Sequence, residues 1–268
     1  MRVISYLCFL GCLSLAPSAL AQNSAPLELT AGNALEWHRA SQKFIATGGV
    51  TAVQGEITLK AANMSATYAE GVNGDNFALQ TLNAENGVTI DSPDGTASGG
   101  QLSYDVNTGE AVMSGGDLAL IAEGTTVTAQ ERFIYNVPGG RLSAVGEALA
   151  VQQTENGENR VAADSLAALF SEEDTEDGER QLKELQAIGR VIITTPTEII
   201  TGQRGVYRRA DQTAELTGDV TITRGENVLS GARVTVDLST GLSKLYGGTD
   251  RESGASGRVR GVFYPESN

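Results

Sequence analysis

Thr47-Gly48-Gly49-Val50-Thr51-Ala52-Val53-Gln54-Gly55-Glu56-Ile57-Thr58-Leu59-Lys60-Ala61 reads as strand, turn, strand. Phe44, Ala46, Gly48, Val50 and Ala52 alternate onto one face, and Ile57, Leu59 and Ala61 resume it after a turn at Gln54-Gly55. Lys43, Thr47, Thr51, Glu56, Thr58 and Lys60 occupy the other face. Such alternation with a period of two predicts a sheet that is apolar on one side only.

The first half of this phrase returns as Asn86-Gly87-Val88-Thr89-Ile90, Gly115-Gly116-Asp117-Leu118-Ala119-Leu120, Gly146-Glu147-Ala148-Leu149-Ala150-Val151, Gly189-Arg190-Val191-Ile192-Ile193 and Gly218-Asp219-Val220-Thr221-Ile222. Trp37, Tyr104 and Tyr207 each stand eleven residues before Gly48, Gly115 and Gly218, and Ala62, Ala129 and Ala232 stand fourteen after them. The repeat is therefore about 30–40 residues, room for two or three strands with their turns. Inner faces recur as Leu142, Ala144, Gly146, Ala148 and Ala150; as Ala187, Gly189, Val191 and Ile193; and as Ala214, Leu216, Gly218, Val220 and Ile222. Around Gly115 the pattern slips by one residue, because Leu118 and Leu120 are in phase with Gly116, and a β-bulge is predicted there. Residues 161–170 and 179–186 carry weak helical signals but fall where the repeat requires strands, and are read as strands. The fold class is all-β, built from repeated antiparallel strand pairs.

Residues 1–21 read as a cleaved secretory signal: Arg2, an apolar run from Val3 to Leu15, and Ala19-Leu20-Ala21 before Gln22. Gly11-Cys12 resembles the end of a lipobox, but Phe9 and Leu10 fit one poorly. Both cysteines, Cys8 and Cys12, lie in this segment, so residues 22–268 contain no disulfide, thiol nucleophile or thiolate ligand. They form one long β domain on the simplest count, with an acidic loop insert at 171–180 (Ser171-Glu172-Glu173-Asp174-Thr175-Glu176-Asp177-Gly178-Glu179-Arg180). Losing Arg2 takes the formal charge from −14 to −15. That sign is repelled by nucleic acid and by anionic lipid surfaces.

No catalytic or cofactor constellation stands out. His38 is the only histidine, which excludes a histidine metal site, and no Gly-x-Ser-x-Gly elbow occurs. The pairs Gly99-Gly100, Gly139-Gly140 and Gly247-Gly248 read as turns, and none precedes the Lys-Ser/Thr of a phosphate loop. Carboxylates are plentiful, yet no spacing singles out a glycosidase pair. The reading is of a protein that is not an enzyme, with no cofactor and no metal.

Aromatic residues are only 5% of the chain and the inner faces are rich in Ala, Val and Ile. Such a lining suits either a narrow, fully packed core or an apolar trough between sheets that do not close; periodicity alone favours the packed core.

Thr47, Gly48, Val50, Gln54, Gly55, Ile57, Leu59 and Ala61 match a Thr-Gly-x-Val strand, Gln-Gly, and an Ile-x-[Ile/Leu]-x-Ala strand. In this the chain resembles the LptA/OstA-like family of periplasmic lipopolysaccharide-transport bridge proteins. Pro26-Leu27-Glu28-Leu29-Thr30-Ala31 looks like that family's first strand, and Gly257-Arg258-Val259-Arg260-Gly261-Val262-Phe263 like a tail of some members. Ala62 stands where the family often has Asp, and the chain is longer than a usual soluble bridge protein. The resemblance implies a half-open, taco-shaped OstA-like β-jellyroll in the periplasm that binds the lipid A part of lipopolysaccharide between its sheets. It also implies end-to-end stacking with copies of itself and with jellyrolls of the inner- and outer-membrane export proteins. The trough then displaces the packed core, and Phe44, Val50, Ala52, Ile57, Leu59, Leu120, Val191, Ile193, Leu216, Val220 and Ile222 become the expected lining of the acyl path. The alternative is a structural or adhesive β-solenoid of the envelope with no lipid cargo.

Overall fold

The computed structural model describes residues 26–70, 77–122, 124–155, 157–171, 181–248 and 257–264. The signal segment at 1–21 and the acidic run at 172–180 lie outside the described residues. The chain gathers into two compact units. The first takes residues 26–146 with 170, 171 and 181; the second takes 147–169 and 182–264.

The first unit contains β1 (Glu28–Ala31), β2 (Ala34–His38), β3 (Lys43–Gln54), β4 (Ile57–Glu70), β5 (Phe77–Ser92), β6 (Gly95–Asp105), β7 (Glu110–Ser114), β8 (Leu118–Ala122), β9 (Thr125–Ala129) and β10 (Arg132–Asn136). β11 (Arg141–Thr154) contributes residues to both units. The second continues with β12 (Gly157–Phe170), β13 (Leu182–Thr194), β14 (Ile199–Arg208), β15 (Thr213–Arg224), β16 (Asn227–Asp237), β17 (Leu242–Tyr246) and β18 (Arg260–Val262). The only helical turn described is the 3-10 turn Arg39–Ser41. Residues 161–170 and 182–186 are strand, as the repeat requires.

Within each unit the long strands pair antiparallel in succession. β3 pairs with β4, β4 with β5 and β5 with β6. β13 pairs with β14, β14 with β15 and β15 with β16. Gln54-Gly55-Glu56-Ile57 and Arg224-Gly225-Glu226-Asn227 close two-residue hairpins with glycine at positive φ in the first central position, as the primed hairpin turns require. Two longer turns share another device: Asp105 accepts the N–H groups of Asn107 and Thr108, and Asp237 those of Ser239 and Thr240.

The repeated glycines mark bulges, not turns. Residues 48–49, 86–87, 115–116, 146–147, 189–190 and 218–219 are six dipeptides with positive φ at both residues. Gly48-Gly49 faces Ala62 alone, Asn86-Gly87 faces Gly100, Gly189-Arg190 faces Gln203, and Gly218-Asp219 faces Ala232. Two residues opposite one bend a strand and raise its local twist, so each long strand is folded near its middle. The slip at Gly115 has a finer cause than a lone bulge. There Gly115, Gly116, Asp117 and Leu118 stand between the pairs Gln101↔Ser114 and Ser98↔Ala119, facing Gly99 and Gly100, one residue more than at Asn86-Gly87-Val88. Gly99-Gly100, expected as a turn, lies inside β6. A side chain at Gly99 would run into Met113 and Leu118, and one at Gly100 into the backbone of Gly115 and Gly116.

Candidate functional site

The registers assemble the inner residues into rows that cross the strands. In the first unit Leu29↔Ala52↔Leu59↔Ile90↔Ala97↔Leu120↔Val127 form one unbroken apolar row over β1, β3, β4, β5, β6, β8 and β9. None of the seven is exposed. Three expected lining residues, Ala52, Leu59 and Leu120, therefore stand in a single line. Val50 lies one step away on the same face, paired with Ala31 and Ala61, and is 1% exposed. Ile57 is half-buried beside the hairpin turn. Phe44 belongs to another row, Trp37↔Phe44↔Ala66↔Leu82↔Tyr104, at the other end of β3.

In the second unit Ile193↔Ile200↔Ile222↔Leu229 form the corresponding row. Val191, Leu216 and Val220 belong to the buried cluster with Ala187, Ile200 and Val234, while Ile193 and Ile222 pack against it. All eleven expected residues are thus buried or half-buried. The reading missed Leu29, Ile90, Ala97 and Val127. Ile90 ends a visible Gly-Val-Thr-Ile echo, but Ala97 sits in Gly95-Thr96-Ala97-Ser98-Gly99-Gly100, where no apolar alternation betrays it.

The first row begins on an open edge strand, and the second stops at β16, one strand short of another. Among the described residues, β1 and β2 pair only with β3, and β17 and β18 only with β16. Each edge is two half-strands. β1 and β2 part opposite the Gly48-Gly49 bulge, where the N–H of Gly32 donates to Gly49 O and that of Asn33 to Thr47 O. Exposed apolar side chains gather there: Leu27, Leu35 and Trp37 at the first edge, Leu242, Tyr246, Val259, Phe263 and Tyr264 at the last. Arg39 lies over the Trp37 ring at 4.2 Å and Arg233 over that of Tyr246 at 4.3 Å.

Charge stays off the apolar faces. Ion pairs link neighbouring strands, among them Lys60–Asp91 at 3.3 Å, Arg190–Asp164 at 2.6 Å and Arg208–Glu184 at 3.5 Å. Exposed pairs of this kind contribute little, because solvent screens them. Hydrogen bonds from Arg160 and Gln153 hold the exposed Glu158 carboxyl below the ordinary range. The Ser239 hydroxyl and Thr240 N–H do the same for Asp237. Burial, with Asp105 adding to it, pushes the Tyr104 phenol up. No cluster of three His, Cys, Asp or Glu side chains suited to a metal occurs among the described residues, and no described helix is long and apolar enough to cross a membrane.

The family model for the LptA/(LptD N-terminal domain) LPS transport protein matches this chain twice, over residues 30–141 and 116–242. The chain belongs to this lipopolysaccharide-transport family. The two matches together cover the strands from β2 to β16 and reach into β1 and the first residue of β17. No curated protein matches the chain. Among solved structures it is similar to LptH of Pseudomonas aeruginosa, described as the LptA-homologous periplasmic component of the conserved lipopolysaccharide transport device. The identity is 11%, covering 91% of this chain and 99% of that one, with a TM-score of 0.23.

Proposed function

We infer that this family member is a non-enzymatic periplasmic carrier that binds the lipid A part of lipopolysaccharide along its apolar rows and passes it between membrane-anchored partners. The observation that carries the reading is the row from Leu29 to Val127, seven strands wide and beginning on an edge strand. Each methylene taken out of water is worth about 0.8 kcal/mol, so several acyl chains need a continuous apolar surface to cross an aqueous compartment. A surface of aliphatic side chains such as Leu59, Ile90 and Leu120 offers that contact.

The edges support the second half of the reading. Unpaired strand edges template the addition of another strand. Here each unit has an edge flanked by exposed apolar side chains, which suits joining to a second copy or to related jellyrolls of the export machine. Such joining would continue the apolar rows from one molecule into the next. In this reading residues 22–268 work as one jellyroll region, with the acidic run at 171–180 an insert within it.

The test is to produce residues 22–268 in the periplasm of a Gram-negative host, purify the protein without detergent and measure lipid A by mass spectrometry. Stoichiometric lipid A is the expected result. A folded, dispersed protein that carries none overturns the carrier reading and leaves a structural member of the family. Ile57→Lys, at the half-buried end of the inner face, is expected to fold and to lose the lipid; retention of lipid removes Ile57 from the path.

A further inference from the structure

The inner face of the second unit is not wholly apolar. Asn159 on β12 is in step with Val161 and Ala163, and alternate residues of a strand share a face. Ala163 belongs to the buried cluster of that unit and Val161 packs against it. Asn159 therefore points to the same side as the core, and it is 4% exposed. Its Oδ1 has no hydrogen-bond partner. Among the described residues only one other buried side-chain oxygen shares this condition, Ser243 Oγ. A serine hydroxyl can rotate to suit a neighbour, whereas an amide oxygen offers fixed acceptor sites.

A buried carbonyl oxygen without a donor destabilises the empty protein. A leucine of similar size would continue the alternation of β12 at no such cost. The position of Asn159 is explained if a donor arrives from outside the chain. The donor must travel on something apolar, since Val161 and Ala163 follow Asn159 on the same face. A free sugar or ion does not meet that requirement; an acyl chain bearing a hydroxyl or an amide N–H does.

We propose that Asn159 is a hydrogen-bonding station inside the apolar path of the second unit, where its Oδ1 accepts from a hydroxyl or amide N–H carried on an acyl chain. The proposal rests on the carrier reading above and adds a chemical preference to it: the protein distinguishes an acyl chain with a donor near its polar end from the same chain without one. Asn159 also fixes a register, because a chain sliding over this face is held at the step where its donor meets the amide oxygen.

The experiment compares 3-hydroxytetradecanoic acid with tetradecanoic acid, each displacing a fluorescent fatty acid from delipidated protein, for the wild type and Asn159→Leu. The wild type is expected to favour the hydroxylated acid by about three- to tenfold, the effect of one net hydrogen bond. The variant should bind tetradecanoic acid at least as well and show no preference. Its melting temperature, expected to equal or exceed the wild type's, confirms that it folds. Equal binding of the two acids by the wild type, as a water held on Asn159 would give, overturns the assignment. So does a preference that survives in Asn159→Leu. Both results leave the carrier reading standing. Binding of neither acid overturns the assignment as well, and the lipid A measurement then decides whether the carrier reading falls with it.

Discussion

The indole N–H of Trp37 donates to the phenol oxygen of Tyr68 at 2.6 Å, across the intervening strand β3. Phe44 lies between them, stacked on Trp37 at 5.7 Å and tilted against Tyr68 at 5.0 Å, and Phe77 closes the group edge-on to Tyr68 at 4.8 Å. In a chain with so few rings, this is where aromatic residues concentrate, and they tie edge strand β2 to the strands behind it.

If that bond holds the edge in place, Tyr68→Phe and Trp37→Phe should each lose about 1 kcal/mol in urea unfolding, with an unchanged denaturant slope. The double variant should lose little more than either single one, a coupling of about 1 kcal/mol. Strictly additive losses would show that the hydrogen bond contributes nothing beyond ring packing.

Leu216 offers a test of inner-face packing in the second unit. It is paired with Gly205, and a Cβ placed on Gly202 would come within 2.7 Å of its Cγ. Leu216→Ala should destabilise by about 2–5 kcal/mol and Gly202→Ala by about 1–3 kcal/mol. Combined, the added methyl enters the space the leucine leaves, and the double variant should be more stable than the sum of the singles predicts. Additivity in thermal or urea unfolding would mean that the two positions do not share that space.

The bulges also explain which parts of this fold the sequence revealed. On the bulged strands two residues replace one and the alternation keeps its phase, as in Ala46 to Val50, Ala187 to Val191 and Leu216 to Val220. Those strands supplied every clear echo. On the partner strands a single residue faces the bulge and the inner set changes phase. β4 buries Leu59 and Ala61, then Met64 and Tyr68; β14 buries Ile200 on one side of its bend and half-buries Tyr207 on the other. A fixed period of two cannot follow that change, so Ile200 and Leu229 on the partner strands β14 and β16 went unread. Ala97 and Gly99 were obscured for another reason, since residues chosen for closeness of approach carry no hydrophobic signal. Asn159 was invisible because a polar residue on an inner face reads as a break in the pattern. The family pattern at residues 47–61 was legible because a hairpin turn and a bulge fix residue types at set positions.

Asp219 shows the strain such a bulge carries. It is a non-glycine residue at φ +48° beside Gly218 at φ +86°. Asp219→Gly should stabilise by about 0.5–1 kcal/mol, the left-handed penalty relieved less the added chain entropy. Gly218→Ala has no such compensation, because its Cβ would lie 2.6 Å from Cβ of Gln203, and it should lose roughly 1–3 kcal/mol. Loss of stability in Asp219→Gly would show that the aspartate side chain makes an interaction that outweighs the backbone strain.

Glu198 sets a pH dependence of opposite sign to that of Asp237. Its side chain is 13% exposed, and burial raises its carboxyl above the ordinary value of 4.5 despite Arg224 at 3.7 Å, which acts to lower it. The folded protein thus prefers Glu198 protonated. The stability this preference contributes is fully present below the ordinary glutamate value and is lost as pH rises through the raised one. Glu198→Gln, which keeps the shape and removes the charge, should therefore unfold at a higher temperature than the wild type at pH 7, with the difference shrinking towards zero below about pH 4.5. For Asp237, held below the ordinary range by Ser239 and Thr240, the stabilisation is present above the ordinary aspartate value and lost as pH falls through the lowered one. Paired melts of the wild type and Glu198→Gln from pH 4 to pH 8 separate the two. A variant less stable than the wild type at pH 7 would mean that the Arg224 pair outweighs the cost of burying the carboxylate.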